Sequence, residues 1–363
     1  MNIHLSVVAE YASEWNAALH PAHCPNCRAS FLVPASAGAP LCPNCLAARL
    51  EPLPALERDA PPELIVPFSV PDATLRANVE RWLRDVPFKP PTLNSQALEK
   101  SRVAVFLPLY LADTSVWGAW QAQMGFDYLV ASSEERFNGN GWATHRVNET
   151  RTRWEARAGD IARKYENVPA PALGHHARMM NELGANSEQL SYDLSRAVTF
   201  SSEALGTALV RAPEIAPDEA WQTAQKEVER RAGKDCQTAA GAEHHEQFVL
   251  RGVYGDANWT LLLLPMYVMS YSSDDGKVLP VRVNGQTGFV SGVKRASISR
   301  AMNWTIPIAA VAIVMLGVTL IFSFAALQNE HVVPFAILLM LVTLGLALAA
   351  PVPVIRAWAY NRQ

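Results

Sequence analysis

Two runs without a charged residue, 305–327 and 332–355, close the sequence and constrain it more than any other feature. At about 1.5 Å of rise per residue, a helix of ~23 residues covers roughly 34 Å, enough to cross a hydrocarbon layer of about 30 Å. Only Gln328, Asn329, Glu330 and His331 separate the runs, so two helices here must double back as a hairpin. Neither run carries a polar stripe to face water, which argues against a helical pair in a soluble core. Pro307 and Pro334 are expected in the first turn of each helix, where a missing N–H costs little. Pro351 and Pro353 are expected to kink or end the second run. Trp304, Trp358 and Tyr360 stand at the ends, as interfacial aromatics do.

The basic residues orient this hairpin. Lys294, Arg295 and Arg300 precede the first run, and Arg356 and Arg362 flank or follow the second. The connecting loop holds Glu330 and neither Lys nor Arg. The positive-inside rule then predicts a multi-pass anchor with both termini in the cytoplasm. Residues 1–20 hold Glu10 and Glu14 and no basic n-region, so no export signal is expected. Of 31 Lys and Arg and 34 Asp and Glu, only Glu330, Arg356 and Arg362 lie after residue 300, leaving 29 basic against 33 acidic side chains before it. That balance describes an ordinary soluble body and opposes a nucleic-acid partner.

Four of the five cysteines form two identical knuckles, Cys24-Pro25-Asn26-Cys27 and Cys42-Pro43-Asn44-Cys45. A C-x2-C-x14-C-x2-C spacing is that of a zinc ribbon. Each knuckle aims two sulfurs at one point, so Cys24, Cys27, Cys42 and Cys45 are expected to hold one structural Zn2+ in a closed tetrahedral site. Two disulfides are the structural alternative, opposed by a reducing compartment. Iron in a rubredoxin-like site also satisfies the spacing. A closed site leaves no open coordination position, so it reads as architecture or a docking surface. Arg28 and Leu46 occupy positions where such knuckles often carry Gly, so a less regular turn is expected. Pro/Ala-rich sequence flanks the ribbon at 34–40 and 51–62, so the metal is expected to supply most of the folding energy of this module. Cys236, alone beside Lys234 and Asp235, reads as an inert small residue.

The predicted fold class is α+β. Residues 1–50 form the ribbon with an N-terminal extension, 51–65 a Pro/Ala-rich linker, 66–300 a β-rich cytoplasmic domain with a few helices, and 301–363 the transmembrane hairpin. Residues 72–85 read as an amphipathic helix with Leu75, Val79, Trp82 and Leu83 inward, and 218–232 as a helix stopped by Gly233. Strands are predicted at 103–111, 120–130, 150–157, 248–254 and 259–271. Two more, at 278–283 and 289–293, flank the turn Asn284-Gly285-Gln286-Thr287-Gly288. Residues 106–111 echo 263–268, which suggests two related β units, each with its proline (Pro108, Pro265) at an edge or bulge. Arg146, Arg151, Arg153 and Arg157 are a candidate for phosphates or headgroups. Glu149 and Glu155 dilute them, and no aromatic residue is expected on that face, so a solvated sheet face is the favoured reading.

No catalytic motif emerges. Gly233-Lys234-Asp235 lacks the upstream glycine and the hydroxyl of a phosphate loop, and Asn138-Gly139-Asn140-Gly141 is a turn. The doublets His175-His176 and His244-His245 remain. Neighbouring histidines point to different sides of a strand or helix, so a second metal site would need His244, His245 and Cys236 to converge through folding. The expected function is non-enzymatic.

Taken in order, the two knuckles, Val66-Pro67-Phe68, residues 106–110, Thr150-Arg151-Thr152-Arg153-Trp154, residues 263–267 and Val283-Asn284-Gly285-Gln286-Thr287-Gly288 resemble a family of bacterial membrane proteins with an N-terminal zinc ribbon. Its members are often labelled primosomal helicase-like or TFIIB-type zinc-ribbon proteins, and some are encoded beside PspA-like and flotillin-like proteins. The resemblance implies the bacterial inner membrane and a scaffold or adaptor that recruits such partners in envelope stress; apart from the resemblance, a homo-oligomer stays open. A membrane-associated nucleic-acid binder and an enzyme with a site near His244 and His245 are the alternative functions.

Overall fold

The structure is a computed structural model and describes residues 14–56, 60–137, 139, 141–185 and 191–362. The extension 1–13, and Asn138 and Asn140 of the expected turn, lie outside them. Among the described residues, twelve strands form one sheet. They are β1 (Leu19–His23), β2 (Ser30–Pro34), β3 (Glu51–Pro52), β4 (Leu64–Ile65), β5 (Val103–Phe137), β6 (Trp142–Pro171), β7 (Val198–Thr199), β8 (Leu209–Arg211), β9 (His244–Tyr254), β10 (Asn258–Ser272), β11 (Val278–Asn284) and β12 (Val290–Gly292). Helices are α1 (Asp72–Leu83), α2 (Ser95–Lys100), α3 (His176–Glu182), α4 (Ser202–Leu205), α5 (Pro217–Ala240), α6 (Ile298–Ala326), α7 (Val333–Ala349) and α8 (Val352–Tyr360). The main path runs β12-β11-β10-β5-β8-β2-β1-β3, with β4 beside β10, β7 beside β4, and β6 and β9 beside β5. Most pairings are antiparallel, which makes the chain α+β as expected.

The strands predicted at 103–111 and 120–130 are one strand, β5, 35 residues long. At ~3.3 Å per residue its path is about 115 Å. No proline or tight-turn pair interrupts residues 112–137, so the backbone has no reason to turn before Asn138. Up to Ala112, β5 lies inside the body against β10, β8 and the end of β6. A bulge between Ala112 and Thr114 marks its exit, after which it pairs with β6 and, as far as Gly125, with β9. Beyond Gly125, among the described residues, only β5 and β6 continue, as a two-stranded arm.

The echoing segments are neighbours in this sheet: Leu107 faces Leu264, and Phe106 faces Pro265. Both prolines lie in central strands, which corrects the expectation of edge or bulge positions. Each falls where the strand on its other side changes. β8 pairs as far as Phe106 and β6 begins at Leu109, so Pro108 sits in the gap. In the same way β4 pairs as far as Leu263 and β11 begins at Met266, with Pro265 between. A missing N–H costs nothing where no acceptor faces it.

The ribbon does not stand apart from the body. β2 pairs with both β1 and β8, and Cys24, Cys42, Phe31 and Val33 share one apolar cluster with Leu107, Leu109, Leu262 and Met266. Within the expected linker, β3 pairs with β1, and β4 with β10. α1 begins after Pro71 and buries Leu75, Val79 and Leu83 against Met269, Tyr271, Val281 and Val283, as its periodicity predicts. α5 runs past Gly233 to a left-handed Gly241, φ 67°, which corrects the expected stop. Gly233 is there because a Cβ would lie 3.0 Å from His245 Nε2 and 3.3 Å from the Phe248 ring. Glycine permits the close approach and gives up some helix propensity for it.

The turn at 284–288 is a buried junction. Asn284 donates to the Leu183 and Ser191 carbonyls and accepts from the N–H groups of Gln286 and Thr287. Gln286 brackets Asp193 through its N–H and its carbonyl. Ser69 donates its N–H to the Gly285 carbonyl at 3.0 Å. Three distant segments therefore meet on one pentapeptide.

α6 and the 333–360 stretch are long and apolar enough to cross a membrane, and their large side chains are mostly exposed. α6 starts at Ile298, capped by Ser297, so Pro307 lies inside the helix and not in its first turn. Pro334 does fall in the first turn of α7, and Pro351 stands at the break before α8. The two helices touch through Thr319 and Thr343, whose hydroxyls are 2.8 Å apart, and through an edge contact of Phe322 with Phe335.

Candidate metal centre

β1 delivers the first knuckle. Cys24 and Ala29 are joined by a 2.9 Å N–H···O bond, and the Arg28 N–H returns to the Cys24 carbonyl at 2.8 Å. The second knuckle repeats this, with Cys42 bonded to Ala48 at 2.9 Å and Leu46 to Cys42 at 2.9 Å. Arg28 and Leu46 sit at φ 59° and 57°, in the left-handed region. The expectation of a less regular turn is therefore wrong: both non-glycine residues accept the strained conformation, at about 1–2 kcal/mol each.

The sulfurs converge across the knuckles. Cys24 and Cys45 Sγ are 3.5 Å apart, Cys27 and Cys42 3.7 Å, and all four lie within 4.8 Å of one another. Bonds of about 2.3 Å to a tetrahedral ion place sulfurs roughly 3.8 Å apart, whereas a disulfide needs about 2.05 Å. All four cysteines are free, and the donor set fits a metal ion. Cys24 and Cys42 are buried, while Cys27 and Cys45 are half-buried.

Two residues that sequence reasoning overlooked complete the centre. Asn44 donates to Cys27 Sγ at 3.5 Å, and Asn26 bonds Cys45, so each knuckle's Asn serves the second cysteine of the other. The repeated Pro-Asn between the cysteines was the available signal. Arg282 of β11 pairs with Glu182 and reaches the Asn44 carbonyl at 3.5 Å, tying the second knuckle to the body. Burial pushes the Cys24 and Cys42 thiols up. Burial also acts on Cys45, but the Ala47 N–H, the Asn26 amide and the Cys24 and Cys27 thiols outweigh it and lower Cys45 to about 6. Cys45 is thus the thiol most ready to meet a cation as a thiolate, and binding must strip protons from Cys24 and Cys42.

The other candidates do not converge. His244 Nε2 is 3.0 Å from Asp127 on the arm, whereas His245 Nδ1 is 2.6 Å from Gln237 of α5. Cys236 is buried with Ala122 and Met124, and burial raises its thiol, as expected for an inert residue. Among the described residues the four knuckle cysteines are the only group placed to hold a metal. A groove of about 550 Å³ between β6 and α5 is lined by Arg163, Lys164, Arg231 and Lys234, but Arg163 pairs with Asp235, Lys164 with Glu166, and Arg231 with Glu227.

The charged row of β6 differs from its expected surroundings. Phe126 lies directly opposite Arg153 and Tyr128 opposite Arg151, so aromatic and basic residues do share a face. The Arg153 and Arg157 guanidinium groups stand 6.0 and 5.6 Å from the Phe126 ring centroid. Alternation read along each strand separately gave no information on how the strands register. Comparison with protein-family models, curated proteins and solved structures finds no match to this chain.

Proposed function

We propose that this chain is a non-enzymatic scaffold of the bacterial cytoplasmic membrane. Its hairpin crosses the bilayer twice with both termini cytoplasmic, and its body carries one structural zinc ion on Cys24, Cys27, Cys42 and Cys45. The observation that carries this reading is the closure of the metal centre. Four sulfurs face one point within 4.8 Å, two of them buried in the body's own core, which leaves no position for water or substrate. Zinc is favoured over iron because the reading assigns the ion no electron-transfer role. The anchor reading is supported by two long apolar helices, with Lys294, Arg295, Arg300, Arg356 and Arg362 gathered at one end of the hairpin and none in its loop. The partners implied by resemblance are PspA-like or flotillin-like proteins, met during envelope stress. Affinity purification of the full chain from detergent-solubilised bacterial membranes tests this. Specific enrichment of membrane-associated proteins is expected, and recovery of chaperones alone would overturn it.

A second reading, nucleic-acid binding, is favoured by one observation: the Arg153 and Arg157 side chains beside Phe126. Against it, Arg151 is paired with Glu149, and both Arg153 and Arg157 with Glu155. Single-stranded DNA or RNA titrated at low salt decides, since such binding must weaken steeply as salt rises.

A further inference from the structure

We propose that the free edge of β6 pairs with the same edge of a second copy of this chain, antiparallel, with Arg153 opposite its own symmetry mate. Among the described residues β6 pairs with β5 alone, so its outer edge carries N–H and C=O groups without a strand partner there. That edge is open from Trp142, at the tip of the arm, to Lys164. Immediately beyond, Arg231 of α5 closes it by donating to the Glu166 carbonyl at 3.1 Å and the Asn167 carbonyl at 3.4 Å. The open stretch carries charges of both signs but neither Pro nor Lys within residues 142–163, and the pairing with β5 is without a bulge from Thr114 to Phe137. An open edge of this length is a template for another strand.

A two-fold axis normal to the sheet keeps each face on its own side, so only like-parity residues meet. The pairing that uses the whole open edge sets Trp142 against Lys164 and so centres on Arg153. This register, derived from the ends alone, also matches charge. It sets Arg146 against Asp160, Glu149 against Arg157, and Arg151 against Glu155, each pair occurring twice. Only Arg153 meets a like charge. Moving the centre one residue to 152 sets Glu149 against Glu155 and Arg151 against Arg153; moving it to 154 sets Arg151 against Arg157, which Arg153 against Glu155 no more than offsets. Arg146 and Asp160 are exposed, and neither has an ion-pair partner among the described residues. Like charges directly opposite destabilise a ladder and unlike charges support it, so the row favours this register over its two neighbours. Antiparallel pairing sends the two bodies to opposite ends of the joined ribbon. Both anchors then enter one bilayer only with the ribbon lying along its surface. The inference rests on the arm and does not depend on the membrane reading.

The test uses the full chain in detergent, with sedimentation measured across a concentration series. Arg146 and Asp160 are about 46 Å apart along one strand at ~3.3 Å per residue, so they cannot meet within one chain. A concentration-dependent dimer is expected for the unaltered protein. Asp160→Arg should raise the dissociation constant at least tenfold, and the swap Arg146→Asp/Asp160→Arg should bring it back to within about threefold. Glu149→Arg and its swap with Arg157→Glu should repeat the pattern at the second pair. A monomer at all concentrations, a dimer indifferent to Asp160→Arg, or a swap that fails to restore association while circular dichroism stays unchanged would each overturn the proposal.

Discussion

Asn284 is fully buried, and its side chain satisfies four backbone groups. Replacing it with Ala strands the Leu183 and Ser191 carbonyls, themselves at fully or nearly fully buried residues, and two N–H groups of the turn. Each stranded buried group costs about 1–3 kcal/mol, and water reaching the vacated space offsets part of the total. A net loss of about 3–5 kcal/mol follows. For a folded body of this size, about 2–4 °C of Tm accompanies each kcal/mol, so Asn284→Ala should lower Tm by roughly 6–20 °C. Tryptophan fluorescence during heating of the full chain in detergent measures it. Asn284→Asp sharpens the test. Its volume is nearly unchanged and it still accepts from Gln286 and Thr287, but at neutral pH it turns an anionic oxygen toward two carbonyls. The fold then favours the protonated acid, which raises the folded pKa above the ordinary value of about 3.9. Its penalty should therefore be full at pH 7 and shrink as pH falls through that raised value. An Ala variant within ~1 kcal/mol of the parent, or an Asp variant equal to it at pH 7, would refute the reasoning.

Three further outcomes follow from the same structure. Cys42→Ser should abolish stoichiometric metal binding, measured by elemental analysis, and leave a protein whose Tm no longer responds to chelator. Burial holds His176 at about 4 instead of its ordinary 6.5, and its buried Nδ1 has no hydrogen-bond partner among the described residues, so the fold favours the neutral ring. Stability is then lost as pH falls from 6.5 toward 4, by about 2 kcal/mol at pH 5, and the difference between parent and His176→Asn across a pH series of melts isolates that share. Gly285→Ala should cost about 1–3 kcal/mol in Tm measurements, because the added Cβ would lie 2.6 Å from the Phe68 ring and 2.8 Å from Pro265.

What the sequence disclosed follows the range of the interactions involved. α1 was legible because its register depends on apolar spacing over three turns, and the 284–288 turn because the Asn284 side chain accepts from the N–H groups two and three residues on and Gly288 takes the left-handed φ of 74°. The apolar hairpin was legible for the same reason. The continuity of β5 was not. Residues 112–119 mix Ala, Asp, Thr, Ser, Val, Trp and Gly without clean alternation, and only pairing with β6 and β9 holds them extended. Gly233 misled because propensity favours a stop there, whereas the packing of His245 and Phe248 requires a hydrogen in that place. Pro108 and Pro265 misled for a related reason. A proline is barred from a central strand only where an acceptor faces its nitrogen, and which strand faces it is decided elsewhere in the chain.

The metal centre divides along the same line. Its ligands were legible because two C-x-x-C turns are local devices, and the structure brings all four sulfurs together. Its setting was not, since Arg282 reaches the Asn44 carbonyl across 238 positions of sequence. That contact changes what the metal does. In an isolated ribbon, ion binding is the folding energy, and chelation unfolds the module alone. Here Cys24 and Cys42 pack in one cluster with Leu107, Leu109 and Met266 from the two central strands. Knuckle and sheet therefore stabilise each other. An apo centre should loosen β1 and β2 without melting them entirely, because β8 still holds β2 through Phe31 and Leu32. A chelator that unfolds only residues 19–52, with exchange protection in β5 and β10 unchanged, would mean that the shared core carries no coupling.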